Sequence, residues 1–132
     1  MERLEYRAEL KWDGNVGSTV KVREFTFKID TNTDGNNAGP NPTEYLLSAI
    51  GGCLTVNWGR LIKKMRLNVE EMSITVEGWR NLKEPQLQEI SYRVRVVTDE
   101  PEKKILRVKE LAENTEQFST PSERRRQGEK LG

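Results

Sequence analysis

Residues 39–53 read Gly39-Pro40-Asn41-Pro42-Thr43-Glu44-Tyr45-Leu46-Leu47-Ser48-Ala49-Ile50-Gly51-Gly52-Cys53. Asn41 can cap a helix N-terminus, Pro42 suits the first helical position, and Glu44 stands where the acid of a capping box belongs. A helix is expected over 42–66, ending in Lys63, Lys64 and Arg66, cations that favour a helix C-terminus. Its first half is apolar nearly all round, which predicts a buried helix rather than an amphipathic surface one. Gly51 and Gly52 each cost ~1 kcal/mol against alanine in a helix interior. Ser48, Gly52, Thr55 and Gly59 recur at helical spacing as a stripe of small residues. Such a stripe lets another backbone approach closely, and a crossing of two such helices from two subunits is the expected use.

Upstream of this helix, Leu4, Tyr6, Ala8, Leu10 and Trp12 alternate with Glu5, Arg7, Glu9 and Lys11. Period 2 with one charged face predicts a half-buried strand over 4–12. Asp13-Gly14-Asn15 reads as a turn. A second strand is expected over about 18–30, with Val20 and Val22, then Phe25, Phe27 and Ile29, as its apolar positions. The change of parity at Arg23-Glu24 suggests a β-bulge. Residues 31–42 are rich in turn formers and read as a loop.

Downstream, the period returns to 2. Met72, Ile74 and Val76 mark one strand; Ile90, Tyr92, Val94 and Val96 mark another, joined through Asn81-Leu82-Lys83-Glu84-Pro85. A second helix is expected over about 100–117, with Pro101 in its first turn. Ile105, Val108, Ala112 and Thr115 form its stripe, with Leu111 and Phe118 beside them. The order ββ-α-ββ-α predicts an α+β fold with antiparallel sheet.

The chain has 132 residues, one domain on the usual size prior, with residues about 123–132 read as a flexible or poorly packed tail. Lys+Arg total 22 and Asp+Glu 21, a net charge of +1, which argues against a globally basic nucleic-acid binder. Histidine is absent, which excludes His-based triads and His-ligated metal sites. One cysteine, Cys53, excludes an intramolecular disulfide. No apolar run suits a secretory core or a membrane span, so a cytoplasmic protein without membrane, cofactor or metal is expected.

Cys53 is the candidate nucleophile. A free cysteine packs as a small hydrophobe unless a cation, a helix N-terminus or a metal activates it. Its i±3 and i±4 neighbours, Ala49, Ile50, Val56 and Asn57, are uncharged. Arg60 shares its face but stands two turns away. Glu44 lies nine residues before Cys53, on the opposite side of the helix at about 100° per residue; it is read first as the cap partner of Asn41 and second as a site residue. The loop from Asp34 to Gly39 feeds a helix N-terminus, where an anion could bind. The run Arg124-Arg125-Arg126 reads as a solvated tail. Trp12, Trp58 and Trp79 read as core or interface.

The run from Gly39 to Cys53, with the order of elements around it, resembles the OsmC/Ohr superfamily over residues 4–122. The resemblance implies an intertwined α+β homodimer whose sheets wrap two long central helices. In the peroxidase branches the first cysteine attacks a hydroperoxide and a second, just before a proline on the other helix, resolves it. An arginine from the N-terminal hairpin and a glutamate after the Asn-Pro pair assist. Cys53 matches the attacking cysteine. Thr43 takes the glutamate position, with Glu44 displaced by one. Thr120, preceded by Ser119 and followed by Pro121, takes the resolving position, so that thiol is lost. The hairpin at 13–17 has no arginine; Arg7 and Arg23 are near it in sequence. A two-cysteine cycle cannot run within this chain. Two functions follow as expectations. One is a divergent homodimeric OsmC-like protein with a cleft for a small apolar molecule near Cys53. The other is an organic hydroperoxide reductase that uses Cys53 with an external thiol reductant.

Overall fold

The computed structural model describes residues 2–114. The chain divides into two compact units, the first ending at Leu46 and the second beginning at Leu47. The architecture is α+β with antiparallel sheets, as the alternation of the strands predicts.

In the first unit, β1 (Glu9–Trp12), β2 (Ser18–Val22) and β3 (Phe25–Ile29) form an antiparallel sheet in chain order. Leu10, Val20 and Phe27 lie opposite one another, so they share a face; Lys11, Thr19 and Lys28 share the other. Asp13 builds the first turn. Its Oδ1 accepts the N–H groups of Asn15 at 2.8 Å and Gly17 at 3.2 Å, and Gly14 supplies a left-handed φ of 92°. At β3, the Tyr45 ring lies 5.1 Å from that of Phe27, and its hydroxyl donates to the Lys28 carbonyl.

Two expectations fail here. The strand expected over 18–30 is two strands. Val22 pairs with Phe25, and the chain reverses at Arg23-Glu24, with Arg23 at a φ of 53°. A two-residue hairpin loop needs positive φ, and the parity change marks a turn rather than a bulge. The strand expected over 4–12 begins only at Glu9. β2 ends at Val22, so it offers little backbone for residues further upstream to pair with. Leu4 and Tyr6 are 83% and 88% exposed.

The helix α1 (Pro42–Lys64) opens in the first unit with the capping box read from the sequence. Glu44 N–H donates to Asn41 Oδ1 at 2.8 Å, and Asn41 N–H donates to Glu44 Oε1 at 2.9 Å. Its C-terminus is tied in the second unit. Leu67 N–H donates to the Ile62 carbonyl at 3.0 Å and Arg66 N–H to that of Lys63 at 3.1 Å. Arg66 stands at a φ of 53°. This is the paired bonding of a Schellman cap, with arginine where glycine is commoner.

The rest of the second unit is the long hairpin of β4 (Val69–Trp79) and β5 (Glu89–Thr98), followed by α2 (Glu102–Asn114). Met72, Ile74 and Val76 lie opposite Val96, Val94 and Tyr92, the face read from the alternation. Arg80 holds the connecting loop by donating to the carbonyls of Asn81, Leu82 and Glu84. Trp58, Val108 and Ala112 form the buried centre, packed by Leu61, Ile62, Met65, Met72, Val94 and Ile105 among others. Trp58 is thus core, as read. α2 starts just after Pro101, whose carbonyl accepts the Lys104 N–H at 3.0 Å. Thr115 and Phe118, placed in the sequence reading of this helix, lie outside the described residues.

The all-round burial expected of α1 is not found within the chain. Leu54, Asn57 and Trp58 are buried, but Leu46 and Val56 each remain 48% exposed. Within the second unit, the β4–β5 sheet covers one side of the helix. Gly51 marks that side: a Cβ there would sit 3.1 Å from Val76 Cγ2. Among the described residues, a Cβ at Gly52 or Gly59 would meet nothing within 4 Å. These two glycines of the small-residue stripe therefore lie off the side that the β4–β5 sheet covers.

Candidate functional site

Cys53 sits in the middle of α1 and is half-buried, at the seam between the covered and the open side of the helix. About three turns of helix separate it from the N-terminus of α1 at Pro42. The donor that reaches its sulfur is Asn57, one turn later: Asn57 Nδ2 stands 4.0 Å from Cys53 Sγ. Asn57 is itself only 9% exposed. The sequence reading passed over it because it looked for charge among the neighbours. The i+4 spacing on one helix was the available signal.

The remaining candidates are placed as follows. Glu44 is engaged in the capping box. Thr43 is half-buried in the first turn. Arg7 pairs with Glu9 at 2.6 Å, both well exposed. Arg23 lies over the Phe25 ring at 5.1 Å. Arg60 is exposed near the end of α1. Ser119, Thr120, Pro121 and Arg124 to Arg126 lie outside the described residues. Among the described residues, no group of three His, Cys, Asp or Glu side chains could hold a metal ion. No described helix is long and apolar enough to cross a membrane.

The loop before α1 resolves differently from the anion site considered for it. Its amides already hold an anion, the carboxylate of buried Asp30. Thr31 N–H donates at 2.8 Å, Ala38 N–H at 3.1 Å and Asn36 N–H at 3.2 Å. Gly35 is required for this wrap, since a Cβ there would stand 2.2 Å from Asp30 Oδ1. The Thr31 hydrogen bond, then those from Ala38 and Asn36, hold the Asp30 carboxyl below its ordinary 3.8. The Thr31 hydroxyl does the same for Asp34 at 2.7 Å. A depressed carboxyl pKa stabilises the fold above the unfolded value, and that contribution is lost as pH falls through the folded one. Unfolding midpoints in denaturant are therefore expected to fall once pH drops below about 4, and the fall should be shallower in Asp30→Asn. An equal acid response in the variant would remove Asp30 as its source.

Two cavities are described, and neither is lined by Cys53. One, of about 400 Å³, lies between β5 and α2 against Trp58, Val94, Val96 and Ile105. The other, of about 770 Å³, lies beside residues 5–9 and Lys21 to Arg23.

Comparison with known proteins gives a consistent answer. A family model described as OsmC-like protein matches residues 33–117, more than half of the chain. The fold is similar to that of an OsmC-like protein from Mycoplasma pneumoniae, with 16% identity and a TM-score of 0.78, covering 88% of this chain and 84% of that one. It is also similar to a hypothetical protein from Aquifex aeolicus VF5 at 25% identity and a TM-score of 0.74, covering 86% and 83%. A third is an organic hydroperoxide resistance protein from Elizabethkingia anophelis, at 18% identity and a TM-score of 0.67, covering 88% and 86%. A comparison with curated proteins finds no match.

Proposed function

From the premise that this chain belongs to the OsmC family, we propose that it is a single-thiol member, in which Cys53 reduces organic hydroperoxides and an external dithiol restores it. The observation that carries this is the place of Cys53. It is the chain's sole cysteine, half-buried, with a hydrogen-bond donor one turn away, and the resemblance matches it to the family's attacking position. The Cys53 thiolate attacks the terminal oxygen of ROOH. An S–O bond forms, the O–O bond breaks, and the alkoxide leaves and takes a proton as ROH. Sulfur is oxidised to the sulfenic acid by two electrons and the peroxide is reduced. One thiol of the dithiol then attacks Sγ and water leaves. The second thiol releases Cys53 and closes the dithiol's own disulfide. With Thr120 at the resolving position, every electron must come from outside, which suits a reducing compartment such as the cytoplasm. Thr43 and Glu44 are secondary candidates for shaping the site.

The same proposal includes a single OsmC-like domain over 1–132 and a homodimer, in which a second chain covers the open side of α1. A monomeric mass by light scattering would remove the dimer. The decisive measurement is the rate of Cys53 oxidation by an alkyl hydroperoxide, followed by intact mass at neutral pH. A rate far above that of a free thiol is expected; a rate no greater ends the peroxidase reading.

A second reading has its own support. Val56, three residues after Cys53, leaves 48% of its surface exposed beside the thiol, as a site for a small apolar molecule requires. It is favoured if such a molecule co-purifies and the thiol oxidises slowly.

A further inference from the structure

We infer that Asn57 is a positioning residue for Cys53: its carboxamide N–H is the donor that holds the sulfur, and then the oxygen that sulfur acquires. This rests on the peroxide-reducing reading of Cys53 and adds to it a donor carried by the thiol's own helix.

Asn57 occupies the covered face of α1 between Leu54 and Trp58, which are 0% and 2% exposed, and it is 9% exposed itself. Asparagine is a poor choice there. It is a weaker helix former than leucine, and a buried amide without a strong neutral partner costs about 1–3 kcal/mol. A leucine would fill the same face at no such cost. The partner its Nδ2 does reach is Cys53 Sγ, at 4.0 Å. That distance is the outer reach of an N–H···S bond and means little to a neutral thiol. It gains weight with charge, because a donor aimed at an anion is worth roughly twice one aimed at a neutral acceptor. Catalytic hydrogen bonds are often long before substrate binds.

The geometry also suits the oxidised state. Both residues stand on one helix, one turn apart, so backbone hydrogen bonding fixes their alignment. The gap between Nδ2 and Sγ leaves space for a sulfenate oxygen to accept the same N–H. Among the described residues, the neighbours of Cys53 at i±3 and i−4 offer only apolar side chains, Ile50, Val56 and Ala49.

The test compares the native chain with Asn57→Leu and Asn57→Asp. Leucine removes the donor and keeps an apolar core. Aspartate keeps the shape and replaces the Nδ2 donor with an oxygen. Oxidation of Cys53 by cumene hydroperoxide is followed by intact mass, and the side-chain amide resonance of Asn57 is followed by ¹⁵N NMR. Both variants are expected to react about tenfold more slowly, the scale of one hydrogen bond to a charged group. In the native protein the Asn57 amide signal should move when the sulfenate forms. A native rate no faster than a free thiol overturns the peroxidase reading and this inference with it. A fast native protein with equally fast variants overturns only the role of Asn57. So does an aspartate variant that reacts like the native chain while leucine is slow, since shape rather than the donor would then matter. An amide signal unmoved by oxidation overturns it as well. If the leucine variant fails to fold, the aspartate variant and the NMR signal decide.

Discussion

Cys53→Ser is expected to lose all hydroperoxide-dependent consumption of dithiol, with the fold and the oligomeric state unchanged. The chain contains one thiol, and its three methionines oxidise to sulfoxides that need a dedicated reductase, so no second residue can sustain the dithiol-dependent cycle. The serine hydroxyl is isosteric enough to sit at the seam of α1. It cannot be oxidised by a peroxide. The loss should therefore be complete rather than partial, which separates it from the tenfold effect expected at Asn57. The assay couples dithiol oxidation to an alkyl hydroperoxide, with thermal melts of both proteins as the control for folding. Turnover that persists above the uncatalysed rate would place the chemistry elsewhere, and the apolar-ligand function would take its place.

How much of this was legible in the sequence varies with the kind of signal. The Asn41–Glu44 capping box was legible because it depends on four adjacent residues and nothing else. The faces of β4 and β5 were legible because alternation survives any register that keeps parity. The turn at Arg23-Glu24 was not, because neither residue is a usual hairpin-loop former; the parity change showed that something happened and not what. The strand at 4–8 was expected from the same alternation, yet a strand also needs a neighbour, and local pattern does not supply one. The composition of α1 called for burial on all sides. It could not say that Leu46 and Val56 each stay 48% exposed. At the site, Cys53 was found by residue type and by the motif before it. Asn57 was missed because an uncharged amide carries no signal until its burial and its neighbour are known.

Trp58→Ala is expected to destabilise the protein by about 3–5 kcal/mol, the range for deleting a large aromatic side chain from a core. Against a total stability of roughly 5–15 kcal/mol for a domain, this leaves the variant marginal or unfolded at ambient temperature. Trp58 is 2% exposed and joins α1 to both other layers of its unit, touching Val108 and Ala112 of α2 and the inner face of β4 and β5. Among the described residues, no second aromatic side chain stands in that buried centre to collapse into the space. The indole N–H is buried and, among the described residues, has no hydrogen-bond acceptor. An unsatisfied buried donor costs about 1–3 kcal/mol, so part of what the ring gains by packing is already offset. Trp58→Phe separates the two effects. It removes the unpaired donor with the smaller part of the volume, and it should fall within about 1 kcal/mol of the native protein where alanine does not. Equilibrium unfolding in urea measures both. A phenylalanine variant as unstable as the alanine one would mean that the indole N–H is satisfied and contributes to stability. The consequence reaches the site through α1 itself. Leu54, Asn57 and Trp58 are the buried residues that fix the helix's rotation on its sheet, and that rotation sets Cys53 at the seam with Asn57 beside it. A folded but loosened Trp58 variant should therefore lose oxidation rate at Cys53 together with stability, whereas a folded Asn57→Leu variant should lose rate without losing stability.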